Sequence, residues 1–258
     1  MIELKTLENY LKDLLQINLY DDYGPNGLQI EGKSKILKIV FSVSATRESI
    51  QLAILKNADA LIVHHGIFWK FHGIKTITGS FKERIAPLVK NEINLLAYHL
   101  PLDGNQELGN AASIAKKLNL TNLLPFGIKK GMPIGIKGHF KNPVTAIELK
   151  NKLEQLFAKN ILSSNPEIHH SDKKINSIGV ITGGANNEWI LAKEEGLDAY
   201  LTGEMSEHNF HDANEAGIYM FAGGHHATEK LGIISLMNHL QNQFPTLQCE
   251  FIDSINPA

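Results

Sequence analysis

The sequence predicts an α/β protein made of two pseudo-duplicated α/β units with mainly parallel sheets. Short apolar runs that suit strands alternate with helical periodicities almost throughout, the pattern of layered βαβ units. Lys35-Ile36, Leu52-Ala53 and Asp59-Ala60 recur as Lys174-Ile175, Leu191-Ala192 and Asp198-Ala199, all displaced by 139 residues. Later the displacement drops to about 125, matching Ile93 with Ile218 and Tyr98-His99 with the region of Gly224-His225, as though residues 66–79 were extra in the first copy.

The elements follow in order. An amphipathic helix over about 6–17 precedes a strand at 37–43, a helix at 46–57, a strand at 59–64, a helix at 80–91, a strand at 93–98 and a helix at 107–119. Ser80 with Glu83, and Thr145 with Glu148, read as capping boxes, the second opening a helix that runs to about 158. Pro125, Gly127, Gly131 and Pro133 punctuate a join near 123–133, which sets a first unit at 1–125 and a second at 126–258, with a site at their interface. Then come a strand at 177–182, a helix at 187–195, a strand at 198–202, a helix at 206–216, a strand at 218–222, a helix from about 226 to 242 and a strand at 248–252.

Composition narrows the function. The chain has 258 residues, 43% of them hydrophobic, yet its uncharged apolar stretches reach only about six residues; a membrane span needs ~20. Glu3, Lys5, Glu8, Lys12 and Asp13 break the first turns where a signal peptide would be apolar, so a cytoplasmic location is expected. Cys249 is the single cysteine, which excludes an internal disulfide and cysteine-based zinc clusters. With 25 Lys+Arg against 27 Asp+Glu, no global charge favours nucleic acid or a membrane surface. Histidine is the anomaly: 12 residues, six of them in the pairs His64-His65, His169-His170 and His225-His226. Imidazole is the commonest metal ligand.

In such sheets ligands bind beyond the carboxyl ends of strands. The predicted strands end in His64-His65-Gly66, in His99 to Asp103, in Gly203-Glu204 and in Gly223-Gly224-His225 to Glu229. His225 and Glu229 are four residues apart, hence on one helix face. Asp103 offers an oxygen ligand, and His99 is either a ligand or a group that orients one. His226 turns ~100° away from His225 on a helix and takes no ligand role. His64, His65, Asp103, His225 and Glu229 supply five donors, which suits two ions sharing a carboxylate better than one open site. Imidazole and carboxylate without thiolate fit Zn, Mn, Fe or Ni alike.

These motifs together resemble the Nif-three-like family of dinuclear metal-centre proteins, described as GTP cyclohydrolase 1 type 2 homologues. The resemblance covers nearly the whole chain. It runs through Asp22-Tyr-Gly-Pro-Asn-Gly-Leu-Gln29, Val63-His-His-Gly66 with Phe68-Trp69-Lys70, His99-Leu-Pro-Leu-Asp103 with Glu107-Leu-Gly-Asn110, Thr202-Gly-Glu204 with Ser206-Glu207, Gly224-His-His-Ala-Thr-Glu229 and Phe251-Ile-Asp253. It implies a Nif-three-like fold and two divalent ions per subunit, one on His65 and Asp103 and one on His64 and His225, with Glu229 bridging. It also implies a homohexameric ring whose metal sites face an internal cavity.

Two function classes follow. One is a metal-dependent hydrolase in which a metal-bridging hydroxide attacks an electrophilic centre, with a nucleotide as candidate substrate and C8 of the guanine ring of GTP as the family's target. The other is a non-enzymatic ring that binds metal and a partner, protein or DNA. Weaker features are a second cluster of Glu204, Glu207, His208 and His211, of which Glu204 and His211 also match the family's pattern near the pocket. Thr182-Gly-Gly-Ala185 reads as a plain strand-to-helix turn, since it lacks both the full glycine spacing and a phosphate-loop lysine. The pairs His169-His170 and Lys129-Lys130 read as solvated loops. Phe68-Trp69 reads either as a lid stacking on a base or as a subunit contact.

Overall fold

The structure, a computed structural model, describes residues 1–164 and 174–258; His169 and His170 lie outside the described residues. Its strands are β1 (Ile2–Glu3), β2 (Gly27–Ile30), β3 (Lys35–Ile36), β4 (Lys38–Ser44), β5 (Ala60–His65), β6 (Asn94–Ala97), β7 (Leu120–Lys129), β8 (Met132–Val144), β9 (Leu162–Ser163), β10 (Ile175–Val180), β11 (Ala199–Thr202), β12 (Tyr219–Ala222) and β13 (Gln248–Phe251). The helices are α1 (Leu4–Leu14), α2 (Arg47–Leu55), α3 (Gly79–Lys90), α4 (Leu100–Gly104), α5 (Asn110–Lys117), α6 (Ala146–Phe157), α7 (Trp189–Glu194), α8 (Glu207–Ala216) and α9 (His225–Gln243).

Local sequence explains most of the boundaries. Leu4, Leu7 and Leu11 put one buried stripe on α1. The Thr145 hydroxyl accepts from the Glu148 amide at 3.2 Å, and the Glu148 carboxylate accepts from the Thr145 amide at 2.8 Å, so the expected capping box opens α6. The box expected at Ser80 is not made. Helix α3 begins one residue earlier with Thr78 at its N-cap, and Glu83 pairs with Arg47 instead.

The chain divides into two compact units, Met1–Leu102 with Ile233–Ile255, and Asp103–Gly232 with Asn256–Ala258. This division departs from the boundary expected near residue 125. Asp103 belongs with the second unit because its carboxylate is bonded there, and β13 returns to the first because it pairs with β4.

In the first unit the sheet runs β13-β4-β5-β6-β2, parallel throughout except for antiparallel β2 at one edge. Its core gathers Val40, Leu61, Val63, Leu95 and Ile85, among others. The second unit's sheet runs β7-β8-β10-β11-β12-β9 and is mixed, since only β10-β11 and β11-β12 are parallel. This sheet is mixed and not mainly parallel in part because the expected join is a hairpin. Lys130 and Gly131, at φ of 48° and 87°, make the two-residue turn between β7 and β8, a conformation whose twist suits antiparallel strands. Pro125 and Pro133 sit within those strands, opposite Ile136 and Ile128.

The duplication is written into strand register. Ile39 pairs with Ala60 and Ile178 with Ala199, both positions displaced by 139; Ala60 then pairs with Asn94 and Ala199 with Tyr219, displaced by 125. Each copy also carries the same anchor. The Asp59 carboxylate accepts from the amides of Leu37 and Lys38 at 2.9 and 3.0 Å, and that of Asp198 from Asn176 and Ser177 at 2.9 and 3.1 Å.

Candidate metal centre

In the first unit β5 delivers His64 and His65 at its carboxyl end, and the turn after β6 delivers His99. Ligand atoms of these three imidazoles lie within 4.8 Å of one another. Each ring is held by its other side. His64, fully buried, donates from Nδ1 to the Tyr98 carbonyl at 2.9 Å; a carbonyl only accepts, so in the neutral ring the lone pair is on Nε2. His65 Nδ1 bonds the Ser44 hydroxyl at 3.0 Å. His99 Nδ1 donates to the Asp22 carboxylate at 2.7 Å.

Asp22 is the hub of this half. Beyond His99 it accepts from Asn26 Nδ2 at 2.9 Å and from the Leu100 amide at 2.8 Å, while Asn26 Oδ1 accepts from the His99 amide at 2.8 Å. Burial alone would raise the Asp22 carboxyl, but His99, Asn26 and the Leu100 amide outweigh it and hold it below its ordinary value. Gln29 completes the clasp: its side chain accepts from the Ile67 amide at 2.9 Å and donates to the Pro25 carbonyl at 2.8 Å, fixing the turn after His65. The turn-rich segment 22–29, which sequence alone left without a role, is thus a support for the histidines. Its signal was polar residues set among glycines and a proline.

In the second unit the Asp103 carboxylate, nearly buried, accepts from Asn110 Nδ2 at 2.9 Å and Thr182 Oγ1 at 3.0 Å. Asn110 is itself fixed by the Gly232 amide at 2.8 Å. His225 opens α9 and Glu229 follows one turn later, with Nε2 and Oε1 3.3 Å apart. On its other side His225 donates from Nδ1 to Glu204 at 2.5 Å. Burial pulls the His225 imidazole down, yet the Glu229 and Glu204 carboxylates more than reverse this and push it up to about 9. Two carboxylates around one imidazole create a demand for positive charge at this point, which a proton meets here and a divalent cation would meet equally well.

Thr182-Gly183, expected to be a plain turn, belongs to this half. The Gly183 carbonyl accepts from Thr202 Oγ1 at 3.1 Å and its amide donates to Thr228 Oγ1 at 3.2 Å. A Cβ on Gly183 would run into the Glu229 carboxylate. Of the second cluster only Glu204 reaches His225; Glu207 and His211 pair with each other on the exposed face of α8 at 3.2 Å. Phe68 packs against Phe81, whereas Trp69 lies beside His65 and His99. Imidazoles and carboxylates, most of them oriented by a second polar group, are a donor chemistry that fits divalent cations.

A profile of the Duf34/NIF3 (NGG1p interacting factor 3) family matches residues 2–257. The chain belongs to the Duf34/NIF3 family. It is 43% identical over 253 residues to a GTP cyclohydrolase 1 type 2 homolog of Haemophilus influenzae, covering 98% of both chains. Among solved structures it matches protein ybgI, described as of unknown function, at 38% identity with a TM-score of 0.90 over the full length of both chains. A protein from Thermus thermophilus matches at 30% identity and a TM-score of 0.86, again over both full chains. No helix among the described residues of this NIF3-family chain is long and apolar enough to cross a membrane.

The Asp22 hub makes an acid-stability prediction. A carboxyl held below its unfolded value stabilises the fold above that value, near pH 3.9, and the contribution is lost as pH falls through the lower folded value. Asp22→Asn should therefore cost roughly 1–3 kcal/mol at pH 7 and flatten the decline in stability below about pH 4. Urea midpoints from pH 7 to pH 3 measure both; parallel profiles for variant and parent would show that Asp22 carries no folded-state charge.

Proposed function

We propose that this chain is a metal-dependent hydrolase of the GTP cyclohydrolase 1 type 2 kind, with two divalent ions held by His64, His65, Asp103, His225 and Glu229. His65 and Asp103 serve one ion, His64 and His225 the other, and Glu229 both. The observation that carries the proposal is that four of the five donors are already oriented by a second polar group: Tyr98 for His64, Ser44 for His65, Asn110 and Thr182 for Asp103, and Glu204 for His225. Such supports fix ring tautomers and raise ligand basicity.

Two divalent ions held by these residues would supply the charge that lowers the pKa of water toward neutrality. The chain's own residues then do the rest. Glu204 fixes the His225 ring through Nδ1, Asp22 holds His99 beside His64 and His65, and Thr182 with Asn110 fixes the Asp103 carboxylate by donating to it. The name borne by the Haemophilus relative makes GTP the first substrate to test, with one water opening the guanine imidazole ring at C8 to a formamide and a second hydrolysing that formamide to formate and an amine. The same proposal includes a homohexamer in the cytoplasm, with light scattering as its check.

The deciding experiment is metal analysis of protein purified without chelator, followed by formate release from GTP and other nucleotides with Zn, Mn, Fe and Ni in turn. About two ions per chain and turnover are expected. Two ions with no turnover on any nucleotide would overturn the hydrolase and leave the ring-shaped metal-binding and partner-binding role. Fewer than one ion would overturn the centre itself.

A further inference from the structure

The first copy holds a segment that the second lacks. Strand β5 ends at His65 and α3 begins at Gly79, whereas β11 ends at Thr202 and α8 begins at Glu207. The longer connection carries Phe68, Trp69, Phe71 and His72 in close succession. Phe68 anchors it by packing edge-to-face on Phe81 at 5.8 Å, and the Lys70 amide pins it to the Tyr23 carbonyl at 2.7 Å.

Trp69 is consequently held in one orientation. Its indole N–H donates to the Gly66 carbonyl at 3.2 Å, and the ring stands perpendicular to His99 at 5.1 Å and lies 5.9 Å from His65. Phe71 is nearly parallel to Trp69, with centroids 5.5 Å apart and an interplanar angle of 23°, yet 68% of it is exposed. An aromatic ring serving the core would be covered. This one extends a fixed flat surface away from the histidine cluster into solvent. Lys70 and Lys75 add cationic groups on the same segment, Lys75 donating to His72 Nδ1 at 2.8 Å and Lys70 paired with Asp21 at 3.1 Å.

We propose that Phe71, backed by Trp69, forms a stacking platform for the purine ring of a nucleotide, beyond the Trp69 ring that borders the His65 and His99 imidazoles. The nature of the ligand rests on the hydrolase proposal; the platform itself rests on the ring geometry. Flat heterocycles stack on aromatic side chains with little dependence on their edges. The flanking cationic groups suit the phosphates that accompany such a ring.

The test is calorimetric titration of the metal-loaded full chain with guanosine and, separately, with inorganic triphosphate. Parent protein should bind guanosine, and Phe71→Ala, a change at an exposed position, should weaken it by about tenfold. Trp69→Phe should stay within a few-fold of the parent, and metal content should hold in both variants. No guanosine binding by the parent, or equal affinity in Phe71→Ala, would overturn the platform. A lower particle mass for Phe71→Ala with unchanged guanosine affinity would overturn it in favour of a contact between copies. Guanosine binding that depends on Phe71 without any formate release would keep the platform and remove the hydrolase; formate release at undiminished kcat/KM in Phe71→Ala would do the reverse.

Discussion

Glu229→Ala is expected to drop bound metal from about two ions per chain to less than one, because a bridging carboxylate serves both. The side chain is 2% exposed, so no surface residue can substitute for it, and it sits one helical turn from His225. Any turnover should fall by about 100-fold or more, beyond the usual cost of losing a group that only orients a ligand. Glu229 is also the first of the two carboxylates that push the His225 imidazole upward, so in metal-free Glu229→Ala that imidazole should titrate well below about 9. Elemental analysis gives the first result and a histidine NMR titration the last. Metal content equal to the parent's would sink the two-ion centre.

Gly183→Ala should come close to the same loss without touching a donor atom. Gly183 has φ of +69°, and a Cβ there would overlap Glu229 Oε1. An L residue in the left-handed region costs about 1–2 kcal/mol, and the methyl group displaces the carboxylate as well. Gly184→Ala is the matched control, since its Cβ would lie 3.6 Å from both Glu204 Oε1 and His225 Cε1, ordinary contact distances. Circular dichroism should show both variants folded, with metal lost only in the first. Equal metal in the two would mean that the carboxylate is not held where the Gly183 backbone makes room for it.

The candidate donors were legible because they lie at or just after strand ends, and strand ends are visible where an apolar run stops. Ala60 to Val63 stop at His64, and Tyr219 to Ala222 stop just before Gly223-Gly224-His225. The duplication was legible for a related reason: Asp59 and Asp198 cap the start of equivalent strands, and their displacement reappears unchanged in strand register. What stayed hidden were partnerships made at a distance in sequence. Nothing local tells that Asp22 holds His99, 77 residues on, or that Thr182 holds Asp103, 79 residues back. The β7-β8 hairpin was missed because proline and glycine read as punctuation, while only Lys130-Gly131 turns the chain. The capping box at Ser80 failed because Glu83 had a nearer partner in Arg47.

The pairing of β13 with β4 bears on how the molecule is made. Lys38 meets Gln248 and Phe41 meets Phe251, about 210 residues later in the chain. A ribosome adding roughly 5–20 residues per second needs about 10–40 s to cover that distance. Throughout that interval β4, carrying Ile39, Val40, Phe41 and Val43, has one hydrogen-bonding edge open. Open apolar edges recruit strands from other chains. Nascent chains paused before residue 248 are therefore the population in which this protein meets chaperones or aggregates, and deleting β13 would make that transient hazard permanent.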